Sequence, residues 1–185
     1  MSYRYSHYHP ICPMQPIQHP EHLFRVIRAY DVVPEDGFEC GDQAAGLTFE
    51  QLIQKGFNNK VKSQFISTTK SASTAISWTI KVKCAFAIMS CRALNQDIRV
   101  YDLSGDCSRI LTPWANEIST RHQEVLLTPY INEKAIVGIV QYSSRESRPA
   151  MYSSVTAILL QSLVADYMEV LWRIMNRQSD TGSSE

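Results

Sequence analysis

Helix-forming segments crowd the early part of this chain and strand-forming runs the late part, without steady strand–helix alternation, which favours an α+β fold over a doubly wound parallel sheet. Leu23-Phe24-Arg25-Val26-Ile27-Arg28 is β-rich and is followed by a turn sequence, Pro34-Glu35-Asp36-Gly37. Thr48 and Gln51 have capping-box spacing, and Phe49, Leu52, Ile53 and Phe57 recur at helical spacing with Gly56 near the end, so a short helix is predicted over 48–56. A strand is expected over Gln64–Thr69, then a helix led by Ser71 with Ala72, Ala75, Ile76 and Ile80 on one face. Ala85–Cys91 and Ile98–Leu103 read as strands broken at Asn95-Gln96-Asp97. After a helical or irregular stretch near 109–121, Glu124–Leu127 and Ala135–Gln141 read as two more strands.

These elements define one domain over residues 21–145. Ahead of it, Pro10, Pro13, Pro16 and Pro20 deny residues 1–20 helix hydrogen bonds and sheet pairing, so this Pro-, His- and Tyr-rich segment is expected to be a flexible arm. After the domain, residues 146–178 hold a long amphipathic helix, centred on 150–177, with Val155, Ile158, Leu159, Leu163, Tyr167, Val170, Leu171 and Ile174 on its apolar stripe. Gln161, Ser162 and Asp166 interrupt that stripe too early for a membrane span. The helix is expected to dock on the domain, on a protein partner or on a second copy, and residues 179–185 to be disordered.

A content of 44% hydrophobic and 19% charged residues belongs to a folded globular protein, and 185 residues suffice for one full core. Lys plus Arg balance Asp plus Glu at 18 each, so no net charge draws the molecule to nucleic acid or anionic lipid. Lys55, Lys60, Lys62 and Lys70 read as a solvated face. The cysteines, Cys12, Cys40, Cys84, Cys91 and Cys107, are odd in number and lack C-x-x-C spacing, which points to reduced thiols and to no metal site. No apolar signal-peptide core is visible at the N-terminus, so a cytoplasmic protein, or one delivered into a host cell, is expected.

Three short stretches carry the chemistry: Leu23-Phe24-Arg25-Val26 on the first strand, Phe65-Ile66-Ser67-Thr68-Thr69 on a middle one, and Gln123-Glu124-Val125-Leu126-Leu127 on a late one. Taken singly, each is ordinary: a surface cation, a strand end entering a helix cap, a solvated acid. In this order they resemble the Arg…Ser-Thr-Ser…Glu signature of ADP-ribosyltransferases of the cholera-toxin-like class. Pro34, Gly37 and Phe38, Trp78 in the helix after the serine strand, and Val100-Tyr101-Asp102-Leu103-Ser104 extend the resemblance across residues 23–142.

The resemblance implies a split β-sheet core with peripheral helices, and a chain that binds NAD and breaks its nicotinamide–ribose bond. Breaking that bond builds positive charge on the ribose, which a preorganised anion stabilises. The resemblance assigns Glu124 to that role, Arg25 to a phosphate and to bracing the site, and Ser67 to orienting Glu124 or the nicotinamide, with Thr68 and Thr69 on the cofactor-binding strand. Arg28 is the alternative arginine. Trp78 and Tyr101 could stack on an NAD ring, but aromatics flanking apolar runs read first as core. In many members the residue two before the catalytic glutamate is Glu or Gln and engages the acceptor; here it is His122. On a strand His122 would share Glu124's face and Gln123 would not, which makes His122 the acceptor-side candidate and Gln123 a weaker one.

A mono-ADP-ribosyltransferase acting on a protein or nucleic-acid acceptor is therefore expected. The alternatives are an NAD glycohydrolase using the same site and an inactive binding module that recruits a partner through its C-terminal helix.

Overall fold

A computed structural model describes residues 21–27, 37–55, 62–144 and 147–180. The expected N-terminal arm, Arg28, most of the Pro34–Gly37 turn, Gly56, Phe57 and the last five residues lie outside these ranges. The described part is α+β. Its strands are β1 (His22–Ile27), β2 (Gly37–Glu39), β3 (Ile66–Thr69), β4 (Ala85–Ser90), β5 (Arg99–Asp102), β6 (Glu124–Thr128), β7 (Tyr130–Asn132) and β8 (Ile136–Gln141). Its helices are α1 (Phe49–Lys55), α2 (Ala72–Val82), α3 (Pro113–His122) and α4 (Arg148–Asp180).

Six strands form one antiparallel sheet in the order β5-β6-β3-β1-β4-β8. β1 follows β4 along its whole length, from His22↔Ser90 to Ile27↔Ala85, and β3 follows β6 from Ile66↔Leu127 to Thr69↔Glu124. Between β1 and β3 there is a single registered pair, Phe24↔Thr69. The sheet is thus two three-stranded halves joined at one point.

Strand alternation sorts side chains onto two faces. Leu23, Ile27, Ile66, Val125 and Leu127 point to one face and pack with Phe38 and Ile131 of the small β2–β7 sheet. Gly37, at φ 111°, begins that sheet because a Cβ there would collide with the Ile131 carbonyl. The opposite face carries the helices. Phe24, Phe86 and Ile88 pack with Ala75 and Ile76 of α2 and Met151 and Val155 of α4. Phe65, Tyr101 and Leu126 pack with Phe49 and Ile53 of α1 and Ala115 of α3. Each of the larger aliphatic and Phe side chains among these contributes about 1.5–3 kcal/mol.

The helix starts follow the sequence. Thr48 and Gln51 form a reciprocal capping box at α1, with Thr48 N–H donating to Gln51 Oε1 at 3.0 Å and Gln51 N–H to Thr48 Oγ1 at 3.1 Å. Ser71 accepts from Thr74 N–H at the start of α2, and Thr112 caps α3 just before Pro113. α4 is longer than the predicted 150–177, and its start docks on the domain: Met151 and Val155 are buried, and Ile158 meets the bare backbone of Gly138. Farther on, Leu163, Tyr167 and Val170 are exposed. Among the described residues, no helix is long and apolar enough to cross a membrane.

Candidate active site

The joint between the two half-sheets brings together the three residues singled out in the sequence. Ser67 and Glu124 lie on adjacent strands, on the helix-bearing face, and Ser67 Oγ donates to Glu124 Oε1 at 2.9 Å. Arg25 belongs to the other half, and its alternation places it on the opposite face with Leu23 and Ile27. Its guanidinium crosses the split and donates from Nη1 to the Ser67 carbonyl at 3.1 Å. The guanidinium also lies over the Phe38 ring, with Cζ 5.2 Å from the ring centroid.

Glu124 opens β6 and is half-buried. Burial raises its pKa above the ordinary carboxylate value by disfavouring the charged form, and the Ser67 hydrogen bond works against that rise. The carboxylate is therefore a partly desolvated anion held in one orientation by a neighbour on β3, suited to stabilising a cation formed beside it.

Thr68 and Thr69 have structural bonds. Thr68 Oγ1 donates to the Val125 carbonyl at 2.7 Å, which stitches β3 to β6 on the face away from Glu124. Thr69 Oγ1 donates to the His122 carbonyl at 2.6 Å and accepts from Ser71 N–H at 3.0 Å, tying the end of β3 to the turn before Glu124.

The placement of His122 corrects the strand argument. His122 is the last residue of α3, and Gln123 caps that helix in the left-handed conformation at φ 49°. The chain turns between His122 and Glu124, so strand alternation does not put them on one face. His122 instead lies against Trp78 of α2, with ring centroids 6.0 Å apart, and Lys81 Nζ sits 4.6 Å from the Trp78 ring centroid. Desolvation, with the nearby Arg121 charge, lowers the His122 pKa. Gln123 is exposed, and its carbonyl accepts from Lys70 N–H at 3.0 Å. Tyr101 is core, as expected, packed among Phe49 and Phe65.

One pair escaped the sequence reading. Lys70 Nζ and Asp102 Oδ2 are 2.7 Å apart, and Asp102 Oδ1 also accepts from Ser104 N–H and Ser104 Oγ. The order β5-β6-β3 makes this pair bridge over β6 beside Glu124, because Asp102 is opposite Val125 and Thr69 opposite Glu124. Gly105 leaves it room, since a Cβ there would come within 2.5 Å of Asp102 Oδ2. The available signal was an acid inside the apolar run Val100–Leu103 and a lysine directly after the Ser-Thr-Thr strand.

No family model matches this chain, and no curated protein matches it. Among solved structures, the fold is similar to EcPltA, a pertussis-like toxin A subunit of ADP-ribosyltransferase-type fold. The TM-score is 0.52 at 13% identity, over 72% of this chain and 81% of that one.

Proposed function

We propose that this chain is a mono-ADP-ribosyltransferase that binds NAD and transfers ADP-ribose to a macromolecular acceptor, releasing nicotinamide and a proton. The observation that carries this reading is the convergence of Arg25, Ser67 and Glu124 at the joint of the split sheet. The likeness of the fold to a toxin A subunit supports it. In the proposed reaction Glu124 stabilises the ribosyl cation as the nicotinamide–ribose bond breaks, and its partial desolvation strengthens that interaction. Ser67 fixes the carboxylate's direction, and Arg25, braced by Phe38, takes a phosphate of the substrate.

A second reading, transfer to water, is favoured by the turn at Gln123, which takes the residue two before Glu124 off the strand. The acceptor class is then what the test decides. Nicotinamide release from NAD is measured alone, with a protein lysate and with oligonucleotides, alongside incorporation of labelled ADP-ribose. Release with incorporation supports transfer, and release without it supports hydrolysis. No release under any condition overturns both and leaves an inactive binding module.

A further inference from the structure

The turn that delivers Glu124 holds Gln123 in the left-handed conformation, at φ 49°, which a residue with a side chain keeps only where its surroundings enforce it. Three consecutive carbonyls show what enforces it. The His122 carbonyl, at the end of α3 where helical partners run out, accepts from Thr69 Oγ1 at 2.6 Å. The Gln123 carbonyl accepts from Lys70 N–H and the Glu124 carbonyl from Leu103 N–H, both at 3.0 Å. The first two donors stand at the end of β3 and the third just past β5, so the start of β6 is gripped from both of its neighbours.

The Lys70–Asp102 pair joins these two grips. Lys70 carries the donor to Gln123, Asp102 directly precedes the donor to Glu124, and their side chains meet at 2.7 Å across β6. Ser104 N–H and Oγ hold the other Asp102 oxygen, Oδ1, at 3.1 and 2.8 Å, and Asp102 as a whole is buried. A pair so placed is a poor source of net stability, because desolvation offsets its attraction. What a directional, charge-assisted bond does supply is a fixed distance, here between the ends of β3 and β5. Strand alternation puts Asp102 with Val100 on the face opposite the Glu124 side chain. The pair therefore reaches the Glu124 carboxylate through the backbone that it encloses.

We propose that the Lys70–Asp102 pair is a positioning device for Glu124: by locking the ends of β3 and β5 around the start of β6, it keeps the Glu124 carboxylate on the Ser67 hydroxyl for the cleavage step. This role rests on the reading of Glu124 as the group that stabilises the ribosyl cation. Both residues act through Glu124.

The test uses the full chain and the variants Lys70→Met, Asp102→Asn and their combination, with Val155→Ala in the docked start of α4 as a destabilised control. Nicotinamide release is measured at a temperature where every form is folded. Each single pair variant should lose kcat about tenfold or more while KM for NAD stays within about threefold, and the double variant should lose no more than the worse single one. Val155→Ala should keep the parent's kcat. Lys70 retains solvent contact, so Lys70→Met decides the matter if Asp102→Asn does not fold.

A second measurement needs no turnover. The Glu124 carboxyl is titrated by carbon-13 NMR with and without Ser67→Ala, its signal identified by its loss in Glu124→Gln. Ser67→Ala should raise the titration midpoint in the parent, and in the pair variants that rise should shrink by at least about half, because the bond it reports is no longer held in place. An unchanged kcat in the pair variants, losses that multiply in the double variant, an equal loss in Val155→Ala, or an undiminished Ser67 effect would each overturn the proposal. If the parent releases no nicotinamide, the transferase reading falls, and the titration alone decides whether the pair positions Glu124.

Discussion

The Ser67 hydroxyl donates to the Glu124 carboxylate across two strands, 57 residues apart in sequence and 2.9 Å apart in space. This bond holds down a pKa that burial pushes up. Ser67→Ala should therefore move the acid limb of the nicotinamide-release profile to higher pH and lower kcat at neutral pH by roughly tenfold or more. A profile measured from pH 4 to 9 checks both; an unmoved acid limb would show that the hydroxyl does not tune the carboxylate.

Glu124→Gln should abolish nicotinamide release, with a loss of at least about 10²–10³, because the amide keeps the shape without the charge. Its stability should change in the opposite direction. A carboxyl whose folded pKa is raised contributes stability that is full below its unfolded value of about 4.3 and is lost as pH rises through the folded value. The variant should thus melt higher than the parent at pH 7–8, and the gap should close toward pH 4. Calorimetry across that range checks the sign.

Arg25→Lys removes the planar group that reaches Ser67 while stacking on Phe38. An ammonium cannot supply both contacts, so KM for NAD should rise about tenfold or more, with a stability loss of about 1–2 kcal/mol. Titration calorimetry with NAD and a melting curve separate the two effects.

Because His122 ends α3 and lies beside Trp78, His122→Ala should lower transfer and hydrolysis in the same proportion. Desolvation and the Arg121 charge lower the His122 pKa, so any loss of activity tied to its protonation should set in at a more acidic pH than an ordinary histidine would give. A selective loss of transfer, read as the ratio of labelled acceptor to free ADP-ribose, would restore His122 to the acceptor side.

Asp102→Ala strips Lys70 and Ser104 of their shared partner beside β6. Lys70 keeps some solvent contact, so the cost should be moderate, about 1–3 kcal/mol, and visible in urea midpoints. Gly105→Ala should reproduce part of that loss by crowding the same carboxylate.

The sequence carried the local signals faithfully. Thr48 with Gln51, Ser71, and the spacing of Ala75 and Ile76 marked two helices near their observed starts. The strand bearing Arg25 and the one bearing Ser67 were legible from β-branched and aromatic content. β2 and β7 were missed, since three residues are too few to establish an alternation. His122 was placed on a strand because nothing in the His122-Gln123-Glu124 run announces a left-handed residue where a glycine would have done so. The meeting of Arg25 with Ser67 depends on which strands pair and where they part, and a single sequence holds no record of either.

A sheet closed by one registered pair, Phe24↔Thr69, behaves as two plates sharing a rivet. Arg25 sits on one plate, and Ser67 and Glu124 on the other. Any molecule gripped by all three adds a second fastener across the seam. Such a ligand should raise the temperature at which the plates come apart even in the Glu124→Gln form, where no bond is broken, so that clamping and chemistry can be read separately in one protein.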